Sequence, residues 1–340
     1  MFKGKKKGAA SYVALIIIGV IVVAFAVMAL LPKPQNFKGE NPLRKTGDMP
    51  MIIAHRGGDG EFPGNTLEAF YNAYSVDENV VMETDANITK DGVLILCHET
   101  YLDKRTDASG DIIDWNYSDM MAQKVNFGYH NDTDSDELTI FTDENGKEIK
   151  PTDLENHPEG LEGRDKEVYL ATTFEELLIA FPNNIISIEI KQGGEIGLSA
   201  LKEAIRIVEK HDAFDRVIFA SFKNEIGKEM KRLQKAGEVP ECFMYSPSLM
   251  GAVKYAGFYF FGIDVFYNDG VAVLQIPMEE YGVKLSSARL IRFAHKHNIA
   301  VQYWTINDEE DMRALIENGA DGIMTDYPHK LKSVIDSYNK

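Results

Sequence analysis

The sequence has few cysteines, few basic residues and a single long apolar run, and each shortage excludes a class of protein. Two cysteines, Cys97 and Cys242, are too few for a disulfide framework in a chain of 340 residues. Acidic residues outnumber basic residues by 53 to 36, which gives a formal net charge of -17. We expect no nucleic-acid partner, because neutralising phosphates requires a basic face. One apolar run also excludes a membrane protein with several spans.

The first 50 residues form a separate module. A basic segment over 1–10 precedes a run of uncharged, mostly apolar residues over 11–31, which is long enough to cross a bilayer as one transmembrane helix. The basic flank predicts a cytoplasmic tail, so that the chain would be a single-pass cell-membrane protein with its remainder outside the cytoplasm. A cleaved signal peptide is the competing interpretation, since Ala24-Phe25-Ala26 resembles a cleavage site. Residues 32–50 are polar and contain prolines, and this predicts a tether.

From residue 51 onward the chain alternates strand-like and helix-like segments, which is the pattern of a parallel α/β fold. Amphipathic segments between the apolar runs fit helices. The predicted strands lie at 51–56, 80–86, 185–191, 217–222, 241–246, 260–266, 300–306 and 322–327. Eight strand–helix units over 51–340 predict a (β/α)₈ barrel of the TIM type, in which functional groups lie at the carboxyl ends of the strands.

A hairpin is expected to extend from the second barrel strand. Asp91-Gly92 is a turn signal between two alternating apolar runs, so the flanking arms should pair in antiparallel fashion. A two-residue turn centred near Lys90-Asp91 would place Glu83 opposite His98. A slip by one residue would reverse the faces of one arm, so this juxtaposition depends on the register of the turn.

Residues 100–170 do not fit the repeat, because they are rich in polar residues and carry only scattered apolar positions. A plain loop of that length is uncommon in a compact domain, and we predict an inserted subdomain beside the barrel mouth. A partly disordered acidic loop is the alternative. The expected position makes the insertion a candidate lid.

Titratable side chains cluster at the ends of the first three barrel strands and at the end of the hairpin. They are His55, Arg56, Glu83, Asp85, His98, Glu189 and Lys191. Three ionised carboxylates in one desolvated pocket would repel one another strongly. One divalent cation relieves this repulsion, and a set of carboxylates selects a hard ion, Mg²⁺ or Ca²⁺, rather than zinc.

The other charged groups suggest what such a metal would do. Two histidines beside it indicate a general acid and a general base, since imidazole exchanges a proton near neutral pH. Arg56 and Lys191 suit a phosphoryl oxygen on which charge accumulates. Together these groups predict phosphodiester cleavage. A sugar hydrolase would need only a carboxylate pair, so the histidines and cations weigh against it.

Three further residues lie at strand ends. Trp304, near the end of the seventh strand, could line the substrate pocket or fill the top of the barrel. Asp326 and Asn307 could each cap a following turn or helix. We include Trp304 among the predicted site residues and leave the other two out.

Several motifs, taken in order, closely resemble those of the glycerophosphodiester phosphodiesterase family. They are AHRGG, a P-x-N-T element at Pro63, Asn65 and Thr66, then ETD, DGVLILCHE, EIK, YWTIN and GADGIMTDYP. The resemblance covers residues 51–330 apart from most of 100–170. It implies a (β/α)₈ barrel with an inserted region, and an enzyme that hydrolyses glycerophosphodiesters to an alcohol and glycerol 3-phosphate.

The resemblance also implies a role for each site residue. It makes His55 and His98 the acid/base pair, Glu83, Asp85 and Glu189 the ligands of the divalent ion, and Arg56 and Lys191 the phosphate contacts. By analogy, the first step is attack of the substrate's own glycerol 2-hydroxyl on phosphorus. This gives a cyclic phosphate that water then opens.

One motif departs from the family, which usually has P-E-N-T where this chain has P-G-N-T with Gly64. Either Glu61, which is near in sequence, replaces the missing carboxylate, or the role of that carboxylate is dispensable. If nothing replaces it, the chain could be a surface binding module that has lost turnover. Among enzymes, a lysophospholipid or an envelope glycerophosphate polymer is an alternative substrate to small diesters. Nothing in the sequence identifies a subunit interface.

Overall fold

The structure of this chain, a computed structural model, describes residues 7–131, 138–154 and 159–339. Within these ranges the strands are β1 (Met51–Ala54), β2 (Val81–Ile88), β3 (Leu94–Leu96), β4 (Tyr129–Asn131), β5 (Leu138–Ile140), β6 (Ile186–Ile190), β7 (Val217–Ala220), β8 (Met244–Tyr245), β9 (Val273–Ile276), β10 (Glu279–Glu280), β11 (Val283–Lys284), β12 (Ala300–Tyr303) and β13 (Gly322–Thr325). The α-helices are α1 (Lys7–Leu30), α2 (Leu67–Val76), α3 (Tyr117–Gln123), α4 (Phe174–Ala180), α5 (Gly194–Lys210), α6 (Asn224–Ala236), α7 (Leu249–Phe261), α8 (Ala288–Lys296), α9 (Glu309–Asn318) and α10 (Pro328–Asp336).

Eight of the strands form a barrel whose members follow one another in chain order. Pairing runs β8-β7-β6-β2-β1-β13-β12-β9, and each of these neighbouring pairs is parallel. The two ends of the path meet where the Ala272 N–H donates to the Tyr245 carbonyl at 3.0 Å. Helices alternate with the strands, so the nearly closed barrel confirms the predicted (β/α)₈ fold.

Burial explains why the barrel strands are such apolar runs. Every residue of β2, β12 and β13 is buried, because helices cover the outside of a parallel barrel and side chains fill its inside. The helices begin at identifiable caps: the hydroxyl oxygens of Thr66 and Thr173 accept hydrogen bonds from backbone N–H groups in the first turns of α2 and α4.

The predicted strand at 260–266 is wrong. Residues 260 and 261 end helix α7, and Asp264–Phe266 form a short 3₁₀ turn, so the sixth barrel strand is β9 instead. A short apolar run fits a buried helix as well as a strand. Gly262, with a φ of 65°, adopts the left-handed conformation that ends the helix.

The hairpin forms as β2 and β3, but its register differs by one residue from the prediction. Ala86 pairs with Leu96, and the turn contains three residues, 90–92, instead of two. The prediction that Glu83 lies opposite His98 in the ladder is therefore wrong. One extra turn residue shifts every cross-strand pair by one position.

The described part of the 100–170 insertion is packed structure rather than plain loop. It contains α3 and the antiparallel pair β4–β5. Several of its apolar side chains, including Leu102, Ile112 and Met120, are buried in the main hydrophobic core. These contacts favour an inserted subdomain. Residues 132–137 and 155–158 of the insertion lie outside the described ranges.

The segment predicted as a tether, 32–50, lies against the amino-terminal ends of the barrel strands. Phe37 and Leu43 are buried in a cluster with apolar residues from β7, β8, β9 and β12. The Asn41 side-chain amide donates to the Ala272 carbonyl at 2.8 Å. The segment therefore closes the bottom of the barrel, opposite the end at which functional groups are expected.

The predicted transmembrane helix needs correction. In the part of the chain that the structure describes, no helix has the length and apolar character needed to span a membrane. The anchor over 11–31 and the cell-membrane location and membrane contact that depended on it are therefore wrong. Residues 1–6 of the predicted basic tail lie outside the described ranges.

Removing a side chain from the closed bottom of the barrel should destabilise the fold. Leu43 is fully buried, so we expect Leu43→Ala to lower the free energy of unfolding by about 2–4 kcal/mol. Ile179, on α4, is 59% exposed, and Ile179→Ala should change it by about 0.5 kcal/mol or less. Denaturant unfolding followed by circular dichroism measures both. Equal midpoints for the two variants would contradict the observed contact.

Candidate active site

A pocket at the carboxyl ends of the barrel strands brings together all the predicted site residues. It encloses about 160 Å³, and its lining includes His55, Arg56, Glu83, Asp85, His98, Glu189, Lys191 and Trp304. Strands β1, β2 and β6 are neighbours in the barrel, which places the ends of these three strands side by side. The convergence predicted from strand ends is therefore present in the structure.

Three carboxylates lie close enough together in the pocket to repel one another. Glu83, Asp85 and Glu189 each offer an oxygen, and these oxygens lie within 4.8 Å of one another. The parallel pairing of β2 with β6 sets Asp85 beside Glu189, and Glu83 lies two residues earlier on the same face of β2. Burial raises the pKa of Glu83 and of Glu189, and the charge of Asp85 raises both further.

Two cations share the charge of Asp85. Arg56 Nε lies 3.0 Å from Oδ2 of Asp85, and Lys191 Nζ lies 3.3 Å from Oδ1. Burial disfavours the charged form of this carboxyl, but Arg56 and Lys191 hold its pKa well below the usual range. Lys191 also contacts Glu189 at 3.2 Å. The pocket therefore contains one firmly ionised carboxylate and two whose ionisation is opposed.

The backbone after β1 bends sharply to place its two site residues. Arg56 has a φ of 55°, in the left-handed region that non-glycine residues rarely adopt. In this conformation the Arg56 N–H donates to Oε2 of Glu83 at 3.0 Å. The same turn places His55 Nε2 at 4.0 Å from that oxygen.

His55 is held by a chain of side chains that the sequence analysis left out of the site. Its Nδ1 hydrogen-bonds Oδ1 of Asp326 at 2.6 Å, and Asn307 donates to Oδ2 of Asp326 at 2.7 Å. Burial lowers the pKa of His55, but the hydrogen bond to Asp326 and the charge of Glu83 raise it above its usual value. A closed barrel pairs β13 with β1. This pairing could have indicated that Asp326, which follows β13, lies beside His55, which follows β1.

His98 reaches the same pocket although the predicted register was wrong. It follows β3, where the chain has left the ladder, and its Nδ1 hydrogen-bonds Oε1 of Glu99 at 2.8 Å. The Asn87 side-chain amide donates to the carbonyls of Cys97 and Glu99 at 2.7 and 2.9 Å. These bonds from β2 hold the segment that carries His98.

The P-x-N-T element positions a carboxylate. Asn65 donates to Oδ2 of Asp85 at 3.1 Å and accepts a hydrogen bond from the Thr84 hydroxyl at 2.8 Å. Its φ of 63° is again left-handed, which asparagine tolerates better than most residues. Asn65 therefore fixes the orientation of Asp85 between the two cations.

Asp59, which sequence reasoning missed, lies in the space beside Gly64. Its Oδ1 accepts a hydrogen bond from the Gly64 N–H at 3.0 Å, and a Cβ at Gly64 would lie 2.5 Å from this oxygen. Asp59 also contacts Arg56 at 3.0 Å and both terminal nitrogens of Arg105 at 3.0 Å. Burial opposes its ionisation, but Arg105 and Arg56 lower the pKa of Asp59 to about 2.

Glu61, the residue that the sequence offered as a replacement for the missing carboxylate, lies elsewhere. It hydrogen-bonds His329 Nδ1 at 2.6 Å and accepts from the Asn72 amide at 2.9 Å. The carboxylate beside Gly64 is thus supplied by Asp59. No periodicity or turn signal distinguishes the two candidates in the sequence.

Known proteins with similar sequences support the family resemblance. The model of the Glycerophosphoryl diester phosphodiesterase family matches residues 55–330. The chain is 25% identical over 288 residues to a Glycerophosphodiester phosphodiesterase of Caldanaerobacter subterraneus subsp. tengcongensis, covering 84% of this chain and 97% of that protein. It is 24% identical over 310 residues to human Lysophospholipase D GDPD1, covering 84% and 86%.

A solved structure shares the fold. The phosphodiesterase of Oleispira antarctica, determined in complex with the product sn-glycerol-3-phosphate, superposes with a TM-score of 0.60 at 20% identity. The match covers 85% of this chain and 97% of that one. At 20% identity this similarity supports a shared barrel fold and nothing further.

Removing the carboxylate of Asp326 should lower the pKa of His55. Asp326→Asn replaces the charged acceptor of this hydrogen bond by a neutral amide, which stabilises the imidazolium less, so burial should lower the pKa further. NMR titration of the His55 imidazole, without added metal ion, measures the change. Glu61→Gln is the matched control, because Glu61 contacts His329 instead. A His55 pKa that is unchanged in Asp326→Asn would contradict the assigned contact.

Proposed function

The chain belongs to the glycerophosphoryl diester phosphodiesterase family of hydrolases, and on this premise we propose that it hydrolyses glycerophosphodiesters to an alcohol and glycerol 3-phosphate. The observation that carries the proposal is one pocket containing three carboxylates, two imidazoles and two cations. The Oleispira antarctica phosphodiesterase binds sn-glycerol-3-phosphate as its product, and this supports the same product here.

The carboxylates are suited to one divalent cation. Glu83, Asp85 and Glu189 would hold Mg²⁺ or Ca²⁺, because their donors are all oxygens and lie close together. Burial and the charge of Asp85 raise the pKa values of Glu83 and Glu189, and a dication would favour the ionised form of both. When bound, the ion supplies positive charge that stabilises phosphoryl oxygens in the transition state.

His55 and His98 act as the acid/base pair in this proposal. Asp326 holds Nδ1 of His55, so Nε2 is the nitrogen available to the substrate. One imidazole accepts the proton of the glycerol 2-hydroxyl as that oxygen attacks phosphorus, and the other protonates the departing alcohol. Water then opens the cyclic phosphate with the two roles exchanged, so both imidazoles return to their starting states.

Arg56 and Lys191 contact the phosphoryl oxygens. Both cations are mostly buried beside Asp85, and a fixed cation in a desolvated site stabilises developing negative charge more strongly than one in water. Asp59 and Arg105 limit the movement of Arg56. Trp304 lines the pocket on the other side of the barrel and would contact the substrate there.

Glycerol 3-phosphate release from glycerophosphocholine tests the activity. We expect release with Mg²⁺ or Ca²⁺ and none with EDTA. His98→Ala should lower kcat by about 10²–10⁴-fold, which is the usual contribution of a general acid or base. His211→Ala is the matched control, because His211 pairs with Glu175 near the end of α5, outside the pocket lining. Full activity in EDTA, or in folded His98→Ala, would disprove the assigned roles.

A pair of substitutions tests whether Asp59 replaces the usual family glutamate. Gly64→Glu should lower kcat/KM by roughly 10²-fold, since its Cβ would collide with Asp59 and displace Arg56. Adding Asp59→Gly makes room for the new carboxylate, so the double variant should recover most of the loss. Steady-state kinetics of both single variants and the double variant give the coupling. Losses that simply add would show that the two positions are independent, and that Asp59 does not replace the family glutamate.

A further inference from the structure

A second cavity, almost entirely apolar, opens beside the candidate active site. It encloses about 310 Å³ between helix α7 and the β10–β11 hairpin. We call it the apolar groove and define it by Val253, Phe260, Ile276, Tyr281, Val283 and Leu285. Glu280 is the one charged residue among the described residues that line it.

The apolar groove adjoins the catalytic pocket. The two cavities share four lining residues, Phe222, Pro247, Gln275 and Trp304. The ring of Trp304 packs edge to face against Phe222, with centroids 5.7 Å apart. A ligand with its polar end among the carboxylates and cations could therefore extend an apolar part into the groove past these two rings.

The groove exposes apolar surface that the fold does not cover. Phe260 is 56% exposed and Tyr281 is 94% exposed, and contiguous apolar surface of this kind marks a binding site. The nearby apolar helix α1 does not shield it, because the described side chains of α1 over 12–27 are themselves exposed.

We propose that the apolar groove binds the hydrocarbon chain of the substrate, so that the preferred substrates are glycerophosphodiesters carrying an alkyl or acyl chain. The proposal rests on the proposed function, because the phosphodiester must lie in the catalytic pocket. A small polar headgroup would leave the groove empty. The chain could be attached to the glycerol, as in a lysophospholipid, or to the departing alcohol.

A chain-length series tests the proposal. The full chain, with Mg²⁺ or Ca²⁺, is assayed on glycerophosphocholine, on lysophosphatidylcholines with acyl chains of increasing length, and on glycerophosphoalkanols of increasing length. All substrates stay below their critical micelle concentrations. We expect kcat/KM to rise by up to about fourfold per added methylene in at least one series. The series that shows the rise identifies the side of the phosphate that carries the chain.

A charge placed in the groove should abolish this preference. Val253 is 54% exposed and lines the groove, and Val253→Glu should reduce the ratio of long-chain to short-chain kcat/KM by about tenfold or more. Met250 is also on α7 and is 58% exposed, but it does not line the groove. Met250→Glu is therefore the matched control and should leave the ratio unchanged. A preference that persists in Val253→Glu would overturn the proposal.

Binding can be measured without turnover. Alkylphosphocholines lack the glycerol 2-hydroxyl that attacks phosphorus in the proposed mechanism. The sequence contains two tryptophans, so in a Trp115→Phe background the fluorescence reports Trp304 alone. We expect alkylphosphocholines to change this fluorescence at concentrations that fall as the chain lengthens, and Val253→Glu to remove that dependence.

The outcomes separate the two proposals. Hydrolysis of glycerophosphocholine without chain-length dependence in either series would overturn the groove proposal and leave the proposed function standing. Binding at Trp304 that depends on the length of the hydrocarbon chain, with no hydrolysis of any diester, would overturn the proposed function and leave the groove as a binding site. If Val253→Glu changes the oligomeric state by sedimentation but not the chain-length dependence, a second copy of this chain occupies the groove, and the substrate proposal fails.

Discussion

The site depends on keeping two buried carboxylates, Glu83 and Asp85, and the partly buried Glu189 within 4.8 Å of one another. Their mutual repulsion and desolvation oppose folding, so the barrel must hold them through its backbone. Strand pairing fixes Asp85 beside Glu189, and the positions of Arg56 and Lys191 compensate only Asp85 fully. Glu83 and Glu189 keep raised pKa values. Arg56 and Lys191 therefore do not neutralise the full negative charge of the three carboxylates. The remaining charge suits the site to a dication rather than to a structural ion pair.

The space beside Gly64 is occupied by the carboxylate of Asp59. From the loop that follows β1, this carboxylate contacts the Arg56 guanidinium and accepts a hydrogen bond from the Gly64 N–H. Arg105, at the start of the insertion, contacts the same carboxylate with two nitrogens. The insertion is thereby linked to the site through one ion-paired cluster, although none of the pocket lining comes from its described part. This placement weakens the expectation that the insertion is a lid.

Much of the fold could be predicted because the alternation of strands and helices, and the titratable residues at strand ends, are visible in short stretches of sequence. Each predicted site residue was expected near the end of a strand or a hairpin arm, and the barrel brings these residues together in one pocket. Three features could not be read locally. The register of β2 with β3 depends on one turn residue, the run at 260–266 suits a helix or a strand equally, and the burial of 32–50 depends on the shape of the barrel bottom. Asp326 and Asn307 were missed because their partner, His55, lies at the other end of the sequence.

The two halves of the barrel contribute different properties to the pocket. Strands β2 and β6 supply the three carboxylates of the cluster, and the two imidazoles follow β1 and β3. The walls that extend away from the chemistry come from α7, β9, β10, β11 and β12. These elements contain no ligand of the proposed metal site, so their side chains can change without disturbing the carboxylate cluster. Apolar residues exposed at such a wall reduce solubility and contribute nothing to the core. Their concentration at the edge of the catalytic pocket is therefore best explained by the substrate that the pocket receives.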